Sequence, residues 1–339
     1  MKFVLCLVLL CGSLQALSKA PEPSRTAPIH IGVHTEKYQD ESRKRPVLVE
    51  VWYPTHRTGP IDQPEDLAWV HPSEVRDGEL ADGKYSLIVM SHGHFGDRRD
   101  RSWLVETFVK NGFIVASVEH YGNSWRSYNP LLSLRFWERA RDISFAITQI
   151  LKDPSLSRYI DPKRIGFVGY SLGGMTGLAL GGAKAENVRE IVIKQQESFK
   201  DIQLDLVKEV DFTEAQGSFA DKRIKALALL SPAAFVYTPQ SFKNIKVPVA
   251  LVASEGDEVL PFKEHASKVI EYLSPARLKL KLLRDKVSHY VFLNRVSDAG
   301  KELASDEIQT ETIQTDRLTV HKEVGDFLAL FFKEHLVDF

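Results

Sequence analysis

Seven short apolar runs, each bounded by turn residues, recur along the chain and are separated by segments with helical spacing. They are Val47 to Tyr53, Tyr85 to Met90, Phe113 to Val118, Arg164 to Val168, Ile224 to Leu230, Val249 to Ala253 and Leu278 to Leu283. Each has the length of a strand and few polar residues, so it reads as a strand covered on both faces. Between them, Ile143, Ile147, Ile150 and Leu151 repeat at i, i+4, i+7 and i+8, and Val324, Phe327, Leu328, Phe331 and Phe332 do the same near the end. Such an alternation predicts an α/β fold: a mostly parallel central sheet with helices on both faces.

Composition narrows the function classes. The 339 residues carry 44 Lys+Arg against 45 Asp+Glu, a net charge of −1, which excludes a strongly basic nucleic-acid binder and a polybasic membrane-surface protein. Outside the extreme N-terminus no apolar run reaches the ~18 residues of a membrane span. At that N-terminus Lys2 precedes the apolar run Phe3 to Cys11, and Ala16-Leu17-Ser18 supplies a small-x-small pattern. This is the layout of a signal peptide over residues 1–18, cleaved after Ser18 or alternatively Ala20, and it predicts export to the periplasm or the outside. Cys6 and Cys11, the two cysteines of the chain, lie inside it, so the exported protein is expected to hold no disulfide, thiol nucleophile or Cys-ligated metal.

Two stretches break the strand–helix alternation. After a linker from Lys19 to Ala27 the pattern is regular until about Lys184 to Lys222, a charged stretch that reads as two short amphipathic helices inserted between core elements, a candidate lid. The stretch from Val296 to Arg317 is polar and acidic and reads as a surface excursion.

Gly169-Tyr170-Ser171-Leu172-Gly173-Gly174 follows the run Arg164 to Val168 and precedes a small-residue helix, Met175 to Ala183. A serine between glycines at a strand-to-helix turn is a nucleophile elbow: the turn thrusts the hydroxyl outward, and the N–H of Leu172 at the helix start points at a developing oxyanion. The spacing of a phosphate-binding loop is not present. An acid is then expected after a later strand, and the turn Ser254 to Pro261 offers Asp257, with Glu255 and Asp285 as alternatives. A histidine is expected after the last strand, where His289 stands. His265, His321 and His335 lie in helical stretches, and His30, His34, His56 and His71 come too early for this chain order. The second oxyanion donor is expected from Ser91-His92-Gly93-His94, as the N–H of His94. His92, His94 and Asp97 could alternatively be read as metal ligands, but no third ligand stands at a diagnostic spacing. His120, Tyr121, Trp125 and Tyr170 are candidates for the substrate pocket, with a loop-bracing role equally open to the first three.

These motifs together resemble the α/β-hydrolase superfamily. The chain is more closely similar to the predicted dienelactone hydrolases of bacteria, themselves similar to platelet-activating factor acetylhydrolases. The resemblance is carried by Ser91-His92-Gly93, Ala116 to His120, Arg139-Ala140-Arg141-Asp142-Ile143-Ser144-Phe145, Ile160 to Gly174, Ser254 to Pro261 and Ser288 to Leu293, which span most of the chain from about residue 45. It implies one hydrolase domain over residues 19–339 and an esterase with a Ser171, Asp257, His289 triad, oxyanion donors at Leu172 and His94, and no cofactor. Tyr170 stands where the group usually has His, and Ser171 stands where dienelactone hydrolases proper have Cys.

The expected protein is an exported serine hydrolase of carboxylic esters with short acyl groups, acting on a small-molecule or lipid ester. A lipase or phospholipid deacylase touching lipid through the lid, an acyltransferase, and a non-catalytic binding protein on the same fold are the rivals. Oligomeric state is not legible in the sequence.

Overall fold

The computed structural model describes residues 29–57, 59, 61–62, 67–195, 203–284, 287–309 and 316–337. Residues 1–18, the stretch expected to be a signal peptide and holding both cysteines, lie outside the described residues, as do the expected linker at 19–27, Asp285 and part of the 184–222 stretch.

Among the described residues nine strands form one sheet: β1 His30–Asp40, β2 Arg45–Thr55, β3 Glu74–Arg76, β4 Tyr85–Ser91, β5 Phe113–Glu119, β6 Ile160–Tyr170, β7 Ile224–Leu230, β8 Val249–Ser254 and β9 Leu278–Leu283, in the order β3-β1-β2-β5-β4-β6-β7-β8-β9. From β5 to β9 every neighbouring pair is parallel, while β2 joins β5 and β1 joins β2 antiparallel. All seven apolar runs are strands.

Two strands escape the apolar-run criterion. β1 carries His, Glu, Lys and Gln because it lies near the sheet's edge, where its second half stays half wet. Its pairing with β2 is nonetheless continuous, from His30 opposite Thr55 to Asp40 opposite Arg45. The hairpin turns at Lys44, whose φ of 49° is left-handed. β3 has only three residues, too few to show a period.

Ten helices accompany the sheet in the described residues: α1 Ser102–Lys110, α2 Pro130–Ser133, α3 Glu138–Lys152, α4 Pro154–Ser157, α5 Leu172–Gly181, α6 Val188–Gln195, α7 Leu204–Glu209, α8 Ala266–Tyr272, α9 Asp306–Gln309 and α10 Arg317–Leu336. Side chains alternate along each strand, so the sheet feeds two cores. On β4, Leu87 and Val89 join Ile143, Ile147 and Leu178 of α3 and α5, while Ile88 and Met90 join Phe108, Val324 and Phe332 of α1 and α10. Each fully buried Leu, Ile or Phe contributes about 1.5–3 kcal/mol by leaving water, so two cores built on one sheet hold its parallel centre without a cysteine.

The 184–222 stretch does contain two short helices, α6 and α7. Val188, Val192, Val207 and Phe212 are buried in the α3/α5 core, and Arg189 donates to the carbonyls of Val207 at 2.8 Å and Val210 at 2.7 Å. The excursion after Val296 is tied down by buried Arg317, which donates to the carbonyls of Asn294 at 2.8 Å and Ile308 at 2.5 Å. No helix among the described residues is long and apolar enough to cross a membrane.

Candidate active site

Ser171 joins the end of β6 to the start of α5 with φ 55° and ψ −116°, a region that costs a residue with a side chain roughly 1–3 kcal/mol. The surroundings hold it there. Its N–H donates to the Leu230 carbonyl at 2.9 Å, and its own carbonyl accepts from Gly174 at 2.9 Å and from Ala233 at 3.1 Å, so the end of β7 clamps the turn from outside. The flanking glycines are there for space: a Cβ on Gly169 would lie 2.0 Å from the Gly173 carbonyl oxygen, and one on Gly173 would lie 2.1 Å from that of Ser91. A Cβ on Gly93 would come within 3.4 Å of the Ser171 Cβ, which puts the loop after β4 directly against the serine turn.

Asp257, in the turn after β8, places Oδ2 at 2.8 Å from Nδ1 of His289. Its Oδ1 accepts from the N–H groups of Val259 at 3.1 Å and Leu260 at 2.7 Å, so the carboxylate cannot rotate away. A carboxylate only accepts, so Nδ1 of His289 carries the hydrogen, which in the neutral ring leaves the lone pair on Nε2. Tyr170 connects this pair to the serine: its ring lies 5.0 Å from the imidazole and its hydroxyl donates to the His289 carbonyl at 3.1 Å. Of the other acids considered, Glu255 is exposed and Asp285 lies outside the described residues.

Sequence reasoning missed Glu258. Its Oε1 accepts from the Ser288 hydroxyl at 2.7 Å and its Oε2 from the His289 N–H at 3.1 Å. Only the juxtaposition of two acids in one turn and Ser-His in another hinted at it.

No protein-family model matches the chain, and no curated protein matches it. Among solved structures it is similar to a ferulic acid esterase from Streptomyces cinnamoneus, at 17% sequence identity, with 93% of this chain and 92% of that chain covered and a TM-score of 0.61. The chain has the α/β-hydrolase fold.

In this α/β-hydrolase fold Gly93, Ser171, Asp257 and His289 follow β4, β6, β8 and β9, all at the carboxyl edge of the parallel strands. Leu172 opens α5, whose first N–H groups have no partner within the helix. His94 lies in a turn closed by Gly96 N–H to the Gly93 carbonyl at 3.4 Å, and its Nδ1 accepts from Asn123 at 3.1 Å. Phe95 in that turn has φ 58° and an exposed ring set edge-on to Tyr128 at 5.1 Å.

The metal reading of this loop does not match its contacts. His92 donates from Nδ1 to the Gly93 carbonyl at 2.7 Å and accepts at Nε2 from the His120 N–H at 3.0 Å, and Asp97 accepts from Arg99 N–H at 2.7 Å and the Trp125 indole at 3.0 Å. Among the described residues no group of three or more His, Cys, Asp or Glu is arranged to hold a metal ion.

The pocket candidates divide. His120 is fully buried, accepting from the Ser91 hydroxyl at 2.8 Å and donating to Asp142 at 3.0 Å, so it braces the loop and does not wall a pocket. Burial, and then Arg139, hold its ring well below the usual histidine range, and the same two causes act on His92. Tyr170 is likewise buried, packed against His289. Tyr121 and Trp125 are exposed, with the Arg126 guanidinium 4.3 Å from the Trp125 ring centre. A narrow apolar cavity lies between α3, α5 and the segment after α7, bounded by Trp137, Thr176, Ala179, Ala215 and Phe219. Thr176 is one turn along α5 from Leu172, to whose carbonyl it donates at 3.1 Å.

Proposed function

We propose that the chain is a serine hydrolase of carboxylic esters, with Ser171 as nucleophile, His289 as general base, Asp257 as its orienting acid, and the N–H groups of Leu172 and His94 as oxyanion donors. The observation that carries this reading is the 2.8 Å bond from Asp257 to His289 beside the left-handed Tyr170-Ser171 turn. Nε2 of His289 takes the Ser171 proton as Oγ attacks the ester carbonyl, and two backbone N–H groups receive the negative oxygen. Collapse expels the alcohol, protonated by His289, and water attacks the acyl-serine with His289 again as base.

The resemblance to acetylhydrolase-like esterases favours short acyl groups. The structurally similar ferulic acid esterase is named for hydrolysis of a carboxylic ester, the same reaction class. The N-terminal Lys2 and apolar run are the basis for proposing export to the periplasm or beyond.

The test is hydrolysis of p-nitrophenyl esters from acetyl to long-chain acyl, with and without lipid vesicles, beside Ser171→Ala. The expected result is turnover of short esters that falls at least ~10³-fold in the variant. Undiminished turnover by Ser171→Ala overturns the assignment, and turnover only of long chains in vesicles replaces it with a lipase.

A further inference from the structure

The Arg139-to-Phe145 segment carries part of the family resemblance, yet the triad makes no use of it. Arg139, on α3, is buried to 1% exposure and makes four hydrogen bonds. Its Nη1 donates to Oδ1 of Asn123 at 2.5 Å, its Nη2 to the Ser91 hydroxyl at 3.2 Å and to the His92 carbonyl, and its Nε to Thr176 Oγ1 at 3.3 Å. These acceptors come from the end of β4 and the loop after it, the loop after β5 and the first half of α5. Two of them lie next to the proposed oxyanion donors. The His92 carbonyl belongs to the peptide before Gly93-His94, and Thr176, through its own hydroxyl, holds the carbonyl of Leu172 at 3.1 Å.

All four acceptors are neutral. The neighbouring carboxylate, Asp142, is spent on other groups: it accepts from Arg45 at 2.8 and 2.9 Å, from Arg43 at 2.9 Å and from His120 at 3.0 Å. A buried cation without a directly bonded anion is costly in the resting protein. Burial accordingly draws the Arg139 guanidinium down to about 9, with Asp142 opposing and Arg101 and Arg45 adding to the fall, and it remains charged at neutral pH. Negative charge developing beside the loop it holds offsets that cost, so its field favours the tetrahedral intermediate over the neutral ester.

We propose that Arg139 is a positioning residue of the oxyanion site, locking the loop after β4 and the start of α5 in register and placing a positive charge behind both donors. This rests on the ester-hydrolase reading.

The test compares R139Q and R139K with the wild-type chain in hydrolysis of p-nitrophenyl acetate and in affinity for an aliphatic trifluoromethyl ketone, which adds a serine to form a tetrahedral oxyanion. For R139Q the expected kcat loss is roughly 10²-fold, as for loss of an oxyanion contact, with KM within threefold and ketone affinity weakened by the same factor as kcat. R139K keeps the charge but not the planar fork and is expected to recover part of both losses. If R139Q does not fold, T176V, which removes both the Nε acceptor and the hydroxyl bond to the Leu172 carbonyl, is expected to lower kcat and ketone affinity together by about fivefold. A folded R139Q with kcat within threefold of wild type overturns the proposal, and so does a kcat loss that ketone affinity does not follow. Failure of the underlying reading shows elsewhere, as a wild-type chain without ester turnover or a Ser171→Ala variant that keeps it.

Discussion

Glu258 accepts the backbone N–H of His289 at 3.1 Å, while the adjacent Asp257 holds the same residue's imidazole at 2.8 Å. Two consecutive side chains of one turn thus fix both the main chain and the ring of the proposed base. A ring held at one point can still swing about its backbone, and catalysis loses steeply with small misplacements. Glu258→Ala is therefore expected to lower kcat by about tenfold with KM within threefold. Glu258→Gln, which keeps an acceptor oxygen, is expected to lose less. Steady-state kinetics on p-nitrophenyl acetate decide it, and an unchanged kcat in Glu258→Ala refutes the role.

The left-handed Ser171 sets function against stability. Alanine in its place keeps the strain of φ 55°, whereas glycine relieves it. Ser171→Gly is expected to be more stable than Ser171→Ala by about 1 kcal/mol, both being inactive. Urea denaturation of the two variants measures the difference, and equal midpoints contradict a strained turn.

Gly173 and Gly112 separate spatial from conformational need. At Gly112 φ is +81° and a Cβ would meet nothing within 4 Å, so Gly112→Ala is expected to cost only about 1–2 kcal/mol for the backbone conformation. At Gly173 the Cβ would lie 2.1 Å from the Ser91 carbonyl oxygen and 2.8 Å from that of His92. Backbone on both sides must part, so Gly173→Ala is expected to cost more than about 4 kcal/mol. Soluble yield and unfolding midpoints of the pair check the contrast.

Acid sensitivity follows from buried histidines. Burial pushes His265 and His321 down to about 4 from the ordinary 6.5, and holds His92 and His120 well below that ordinary value. Between those values the unfolded chain binds protons that the folded chain refuses, so stability falls as pH drops from 6.5 towards 4. Burial acts oppositely on Asp100 and Glu74, pushed up to about 7: they keep a proton in the folded chain over the same window and favour folding at its acid end. Burial raises Glu36 in the same sense, and the four histidines are expected to outweigh these carboxyls. The urea midpoint is expected to be lower at pH 5 than at pH 7, and His321→Gln to narrow that gap. A midpoint that does not move with pH would contradict the balance.

Much of the frame is legible without coordinates. Most of the seven apolar runs are strands because burial on both faces leaves few polar positions to mask them, while the edge strand β9 shows itself by Leu alternating with Lys279 and Lys281, and the Gly-Tyr-Ser-Leu-Gly turn is readable because its spacing is local. β1 is invisible to the same criterion: its His, Glu and Lys side chains reflect a place near the edge, which neighbours decide. The same holds for His120, equally open in sequence to walling a pocket or bracing a loop and found buried between Ser91 and Asp142.

What the sequence determines by itself is whatever depends on residues a few positions apart: strand and helix periods and the glycine-flanked serine turn. The tertiary structure decides which carboxylate meets His289, that Glu258 grips its backbone, and that Arg139 is buried among neutral acceptors. Those contacts join residues far apart in the chain, 119 positions in the case of Tyr170 and His289. Hydrogen bonds and burial act over a few ångströms of space, a distance that the packing of sheet and helices sets and no local spacing encodes.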